Sequence, residues 1–168
     1  MAAWRLSAGG VAPVTEFDPS RYEGRWYEIA RYPNWFQRSC AGDVTAEYRV
    51  RENGTIAVLN RCARKDGSFR QAAGIARSVG PPASKLQVRF APKALSWLPF
   101  VWADYWVIAL APDYSWAAVG GPDRKYLWIL ARQPELDAAI YGAIREQIRA
   151  QGYDPERLQI TRHGRPAQ

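Results

Sequence analysis

The stretch VTAEYRVRENGTIAVLNRC, residues 44–62, decides the fold. It reads as two strands, 44–50 and 55–62, around Asn53-Gly54, the residue pair that a tight hairpin turn prefers because both positions tolerate positive φ. Short β-like segments bounded by turn residues continue on both sides. RWYEIARY (25–32) precedes the hairpin, and FRQAAGIARSV (69–79), SKLQVRFA (84–91), DYWVIALA (104–111), WAAVGG (116–121) and KYLWILAR (125–132) follow it. Within 85–90, Leu86, Val88 and Phe90 alternate with Gln87 and Arg89, the period-two pattern of a sheet with one buried face.

Beyond the eighth strand the period changes. Pro134 suits a first helical turn, and Leu136, Ile140, Ala143, Ile144 and Ile148 recur at spacings of three and four, which predicts one amphipathic helix over about 134–150, ending near Gly152. RLQITR (157–162) reads as a short final strand. The fold class is therefore all-β. Eight sequential antiparallel strands leave two exposed edges unless the sheet closes, and an up-and-down barrel removes both. The helix cannot enter such a barrel and is expected against its outer wall. The barrel domain spans 17–163, with tails at 1–16 and 164–168.

Composition narrows the function. With 168 residues, 48% hydrophobic and 23% charged, the chain is in the globular range and long enough for one filled domain. No apolar run reaches the roughly 18 to 20 residues needed to span a bilayer. A formal charge of +7 favours anionic partners such as acidic phospholipid surfaces. Arginines and lysines are scattered singly, without a zinc-finger or RNP-type signature, so nucleic acid is not expected as a partner. The start, MAAWRLSAGGVAPVTEF, has neither a long apolar stretch nor a lipobox-type cysteine, and no signal peptide is read there. Ser39, Ser68 and Ser96 lack a G-x-S-x-G setting. The only histidine, His163, lies near the C-terminus and reads as solvated, which argues against zinc or an axial haem ligand; no cofactor is expected.

Three groups of residues resemble the lipocalin family, and within it the bacterial lipocalin and apolipoprotein D-like group. Gly24-Arg25-Trp26 followed by YEIAR looks like the family's opening G-x-W motif. Asp113-Tyr114 looks like its second, T-D-Y motif, with Pro112 where many members have threonine. Arg132, ending YLWILAR, looks like the third. The resemblance covers about residues 17 to 162. It implies that Gly24, Trp26, Asp113, Tyr114 and Arg132 close the barrel floor and do no chemistry. Strand parity agrees, because the start of the first strand, the sixth-to-seventh turn and the end of the eighth strand all fall at one end. A guanidinium over Trp26 there would be worth roughly 0.5 to 2 kcal/mol.

The same parity places the connections after the odd-numbered strands at the open end. Trp35, Phe36, Trp97, Leu98, Phe100, Val101 and Trp102 then crowd the mouth, with Arg38, Lys93, Arg124 and Lys125 at its rim. Alternation from Trp26 turns Glu28, Ala30 and Tyr32 inward, and alternation from Arg132 does the same for Leu130, Trp128 and Tyr126. Leu86, Val88 and Phe90 form a third inward row, and the resemblance suggests Tyr48 and Asn60 for a fourth. Glu28, the discordant carboxylate, needs a partner, and a salt bridge to an arginine such as Arg77 is expected. Cys40 and Cys62 are brought toward the mouth by the hairpin, either as a disulfide or as two buried thiols.

This lining is mostly apolar with a few polar atoms, as small-molecule sites are. The expected function is binding and carriage or storage of a fatty acid or lysophospholipid, with an anionic membrane surface as a second partner and no catalysis. Two other readings stand beside it: a lipocalin-type enzyme using Cys40, Cys62 or Glu28 on a lipidic substrate, and a filled barrel that docks on membranes. The resemblance implies a periplasmic or outer-membrane address.

Overall fold

The computed structural model describes residues 10–90 and 102–164. After a short helix α1 (Pro19–Tyr22) the chain forms β1 (Gly24–Arg31), β2 (Gly42–Val50), β3 (Ile56–Ala63), β4 (Phe69–Ser78), β5 (Lys85–Phe90), β6 (Ala103–Leu110), β7 (Trp116–Gly120) and β8 (Trp128–Ala131). Helix α2 (Ala138–Ala150) and the two-residue strand β9 (Gln159–Ile160) complete it. Each strand pairs antiparallel with the next, and β1 pairs with both β2 and β8, which closes an eight-stranded barrel. β9 adds to the upper part of β1, against Ala30 and Arg31.

The deciding hairpin forms one residue wider than a two-residue turn. The N–H of Arg51 donates to the Thr55 carbonyl at 2.7 Å, leaving three residues in the loop, and only Gly54 takes positive φ, at +82°. This is the three-residue connection in which a left-handed residue ends a turn. Asn53 contributes through its side chain, whose Oδ1 accepts from the Thr55 N–H and hydroxyl.

Two cores share the barrel wall. The inner one includes Trp26, Ala46, Tyr48, Val58, Leu86, Val88, Val107, Val119 and Leu130. The outer one lies between the wall and α2 and includes Ile29, Ala30, Tyr32, Ile108, Ala109, Ala118, Ile129, Ile144 and Ile148. Alanines at 30, 109, 118 and 131 keep the wall shallow there, so Ile144 and Ile148 reach full burial. The helix begins four residues after Pro134, where Asp137 Oδ1 accepts from the Ala139 and Ile140 N–H groups. Ile140, expected on the buried stripe, remains 40% exposed in that first turn.

β1 serves both cores because its register with β8 shifts between Glu28 and Ala30. Ile29 is the extra residue of a bulge, and it reverses the alternation that follows. Trp26, Glu28 and Arg31 face inward, whereas Ile29, Ala30 and Tyr32 belong to the outer core.

The floor gathers the three motifs. The Arg132 guanidinium lies 3.9 Å from the Trp26 ring centroid. Its Nη1 donates to the carbonyls of Glu23 (2.8 Å) and Arg25 (3.1 Å), its Nη2 to Arg21 (2.9 Å) and its Nε to Tyr114 (3.3 Å). Gly24 passes this group at φ +98°, where an added Cβ would meet Nη1 at 3.4 Å. Asp113 Oδ1 accepts from the Ser115 N–H, and the Tyr114 hydroxyl accepts from the Asp18 N–H at 2.8 Å. Arg132→Ala should lower the unfolding free energy by about 2–4 kcal/mol, from the lost cation–π contact and the carbonyls left without donors. Urea unfolding reads the loss. Arg132→Lys should recover less than half of it, because one ammonium cannot fork to four carbonyls.

Candidate ligand site inside the barrel

Cross-strand partners share a face, so the registers define the inner wall. Ala46 opposes Asn60, and Asn60 opposes Ala72; Val58 opposes Gly74, and Gly74 opposes Phe90; Ala76 opposes Val88. Asn60, Ala72, Gly74, Phe90, Tyr105 and Trp128 face inward yet retain accessible surface, whereas Trp26, Val107, Val119 and Leu130 below and beside them are buried. β4 contributes only small side chains, Ala72, Gly74 and Ala76, to this face, and the Phe90 ring lies over Gly74. Tyr48, Asn60, Val88, Phe90 and Trp128 are thus placed where the sequence puts them.

Tyr32 is not among them. Its ring packs in the outer core, its hydroxyl donates to the Asp154 carbonyl at 3.0 Å, and Arg157 lies 4.3 Å from its centroid. The bulge at Ile29 is the physical reason. Trp102 is also displaced from the mouth: its ring stacks with Arg77 (3.8 Å) and Arg89 (5.1 Å), whose positions on β4 and β5 alternate with the inward row. Trp97, Phe100 and the neighbouring Leu98 and Val101 lie outside the described residues.

Glu28 is 2% exposed and tied to three segments. Its Oε2 accepts from Arg31 Nη1 at 2.8 Å and from the Thr161 hydroxyl at 2.7 Å, and its Oε1 from Gln37 Nε2 at 3.2 Å. The partner is therefore Arg31, whose side chain is 14% exposed, and not Arg77, which bonds Gln87 on the outer face. Gln37 in turn accepts from the Trp128 indole N–H at 3.0 Å. His163 is nearly buried: its Nε2 bonds the Glu28 carbonyl at 2.7 Å, and its ring meets Tyr27 edge-on at 5.5 Å. Arg31, Gln37 and Thr161 went unmarked in the sequence. Glu28→Gln should cost about 3 kcal/mol by stranding the Arg31 charge, and much less when combined with Arg31→Met; a double-mutant cycle on unfolding free energies measures the difference.

Phe36 joins Tyr126 (5.4 Å) and Trp128 (6.2 Å) in an aromatic group at the upper rim. Arg70 holds the loop that carries Phe36 by donating to its carbonyl at 2.7 Å and to the Ser39 hydroxyl at 3.1 Å. Cys40 and Cys62 form a disulfide with a Cα–Cα distance of 5.5 Å, closing 22 residues of separation. In the chain-entropy account such a link contributes about 3 kcal/mol. Among the described residues, no group of three His, Cys, Asp or Glu side chains could hold a metal ion.

Lower in the barrel, the Tyr105 hydroxyl lies 2.8 Å from that of Tyr22 and 2.7 Å from that of Tyr48. Burial raises all three phenols, Tyr48 to about 12 and the others well above the ordinary 10.0. Above pH 10 the unfolded chain releases phenolic protons that the native state keeps, so stability falls as pH rises from about 10 toward 12, by up to ~1.4 kcal/mol per pH unit for each tyrosine. Urea midpoints across that range should show the fall, and Tyr48→Phe should flatten it.

A closed antiparallel barrel with a sealed floor, an outer helix and an apolar inner wall defines a calyx. The model of the Lipocalin-like domain matches residues 17–163. Outer membrane lipoprotein Blc of Vibrio cholerae serotype O1 is 39% identical over 151 residues, spanning 88% of this chain and 84% of that protein. Apolipoprotein D of Macaca fascicularis is 34% identical over 166 residues, spanning 94% and 84%. The solved structure of insecticyanin from Manduca sexta superposes with a TM-score of 0.69 over 92% of this chain and 85% of that one; at 20% identity it speaks for the fold. The chain belongs to the lipocalin family, whose barrels bind small hydrophobic ligands.

Proposed function

We propose that this lipocalin binds and carries a fatty acid or lysophospholipid in its barrel at a bacterial envelope, collecting it from an anionic membrane surface. The observation that carries this reading is the inner wall itself: aromatic and aliphatic side chains face inward together with the small residues Ala72, Gly74 and Ala76, a mostly apolar lining in a barrel of eight strands, the size that holds one small ligand. Above it, Asn60, Arg31 and Arg70 supply polar groups on the inward face, suited to a head group near the opening.

The rim supports the membrane part. Trp35 is 64% exposed beside Arg38, and Phe69 is 51% exposed near Arg64 and Lys65, so apolar rings and cations share the open end. The name outer membrane lipoprotein, borne by a relative at 39% identity, supports an envelope address. Carriage is favoured over catalysis because Cys40 and Cys62 are joined and offer no thiolate, and the Glu28 carboxylate is committed to Arg31, Thr161 and Gln37.

Transfer of a fluorescent lysophospholipid from vesicles to the protein tests both parts. Capture should be efficient from phosphatidylglycerol vesicles and weaker from phosphatidylcholine ones. Ala72→Phe, which puts a ring on this small-residue face, should reduce capture about tenfold while the barrel stays folded. No capture by the wild-type protein would overturn the carrier reading, and equal capture from both vesicle types the membrane part.

A further inference from the structure

The three phenols of the lower barrel carry more hydrogen-bonding capacity than they consume. Tyr22, Tyr105 and Tyr48 form a chain of two contacts, and each contact uses one phenolic proton whichever oxygen donates. Three hydroxyls bring three protons. One O–H is left over in every arrangement, and it finds no acceptor among the described residues. Tyr22 and Tyr48 are more than nine-tenths buried, so bulk water does not satisfy it. Tyr105 bonds both of the others and is the one phenol of the three that retains accessible surface; when Tyr22 and Tyr48 donate to it, the surplus O–H is its own, on a side chain of the inward row.

The charge around the cluster selects what can accept that proton. The guanidinium that acts on the cluster, Arg132, lies against the Trp26 ring, with Nε, Nη1 and Nη2 all committed to backbone carbonyls. A carboxylate or phosphate brought down to the phenols would lose its hydration where the donors of Arg132 are already engaged, so a neutral oxygen is the better fit. Arg31 and Arg70, by contrast, are on the inward face at the upper end. An anionic group is therefore accommodated at the top and a neutral oxygen at the bottom.

We propose that the Tyr22–Tyr105–Tyr48 cluster is a hydrogen-bonding station for a neutral oxygen function, a hydroxyl or a ketone, on the end of the guest that enters first. The barrel then selects acyl chains oxygenated at the end remote from the head group over plain ones. This rests on the reading that the barrel holds an acyl chain.

The test pairs two probes, hexadecanoic acid and ω-hydroxyhexadecanoic acid, with two proteins, the wild type and Tyr22→Phe/Tyr48→Phe/Tyr105→Phe. All three phenols are removed together because any phenol left behind would keep a spare proton, and joint removal leaves no stranded partner. By calorimetry the triple variant should bind the hydroxylated acid about tenfold more weakly than the wild type does, with hexadecanoic acid unchanged. Equal effects on both acids, or none on either, would overturn the station. If the triple variant does not fold, the tyrosine ultraviolet difference spectrum of the wild-type protein decides: a band shift with the hydroxylated acid alone supports the station, and the same response to both acids overturns it. Failure of the wild-type protein to bind either acid would instead overturn the acyl-chain reading on which the station rests.

Discussion

One guanidinium pressed on one indole lets the sheet end as a cup. Arg132 lies at the end of β8 and Trp26 at the start of β1, and three of the four carbonyls that Arg132 holds come from residues more than 100 positions earlier in the chain. A sheet that closes has no edge, but its two ends must still be filled or left open. Trp26 fills the lower end with one ring, and the arginine satisfies the carbonyls that the turning backbone would otherwise bury without donors. With the lower end sealed this tightly, the wall above can hold small residues without collapsing.

β1 meets a harder demand than its neighbours, since its lower half faces the interior while its upper half must also support α2. An uninterrupted strand would put Glu28 and Arg31, three apart, on opposite faces. The extra residue Ile29 brings both inward and makes their ion pair possible, while sending Ala30 and Tyr32 to the helix side. A similar shift in β6 sends Ile108 and Ala109 outward together. Both bulges deliver residues to the same outer core, which Ile144 and Ile148 of α2 complete.

The architecture was legible because it depends on local signals: turn residues, period-two runs, one helical stripe and three motif groups that parity sends to one end. The inward positions of Val88, Phe90 and Trp128 followed from the same alternation, and that of Tyr48 from the family resemblance. What was not legible depends on register between distant strands. Tyr32 fails as a lining residue because nothing near Ile29 announces a bulge; its cause is the pairing with β8, a hundred residues away. Trp102 belongs to the outer wall because Arg77 and Arg89 offer cations there, a pairing that spacing does not show. The buried surroundings of His163 and the Thr161 bond to Glu28 span 135 and 133 residues and leave no mark on the short stretch that contains them.

Those last contacts also divide the barrel into two seams with different requirements. The lower seam of the barrel needs nothing beyond Arg132, whereas the upper seam beside β1 is occupied by β9 and by residues 161–164, with the Asp43 N–H bonded to the Arg162 carbonyl and the Gly164 N–H to the Asp43 carboxylate. The base is therefore complete with residues up to Arg132, whereas the upper wall is unfinished without the stretch after α2. The opening of the cup thus depends on residues that the base does without.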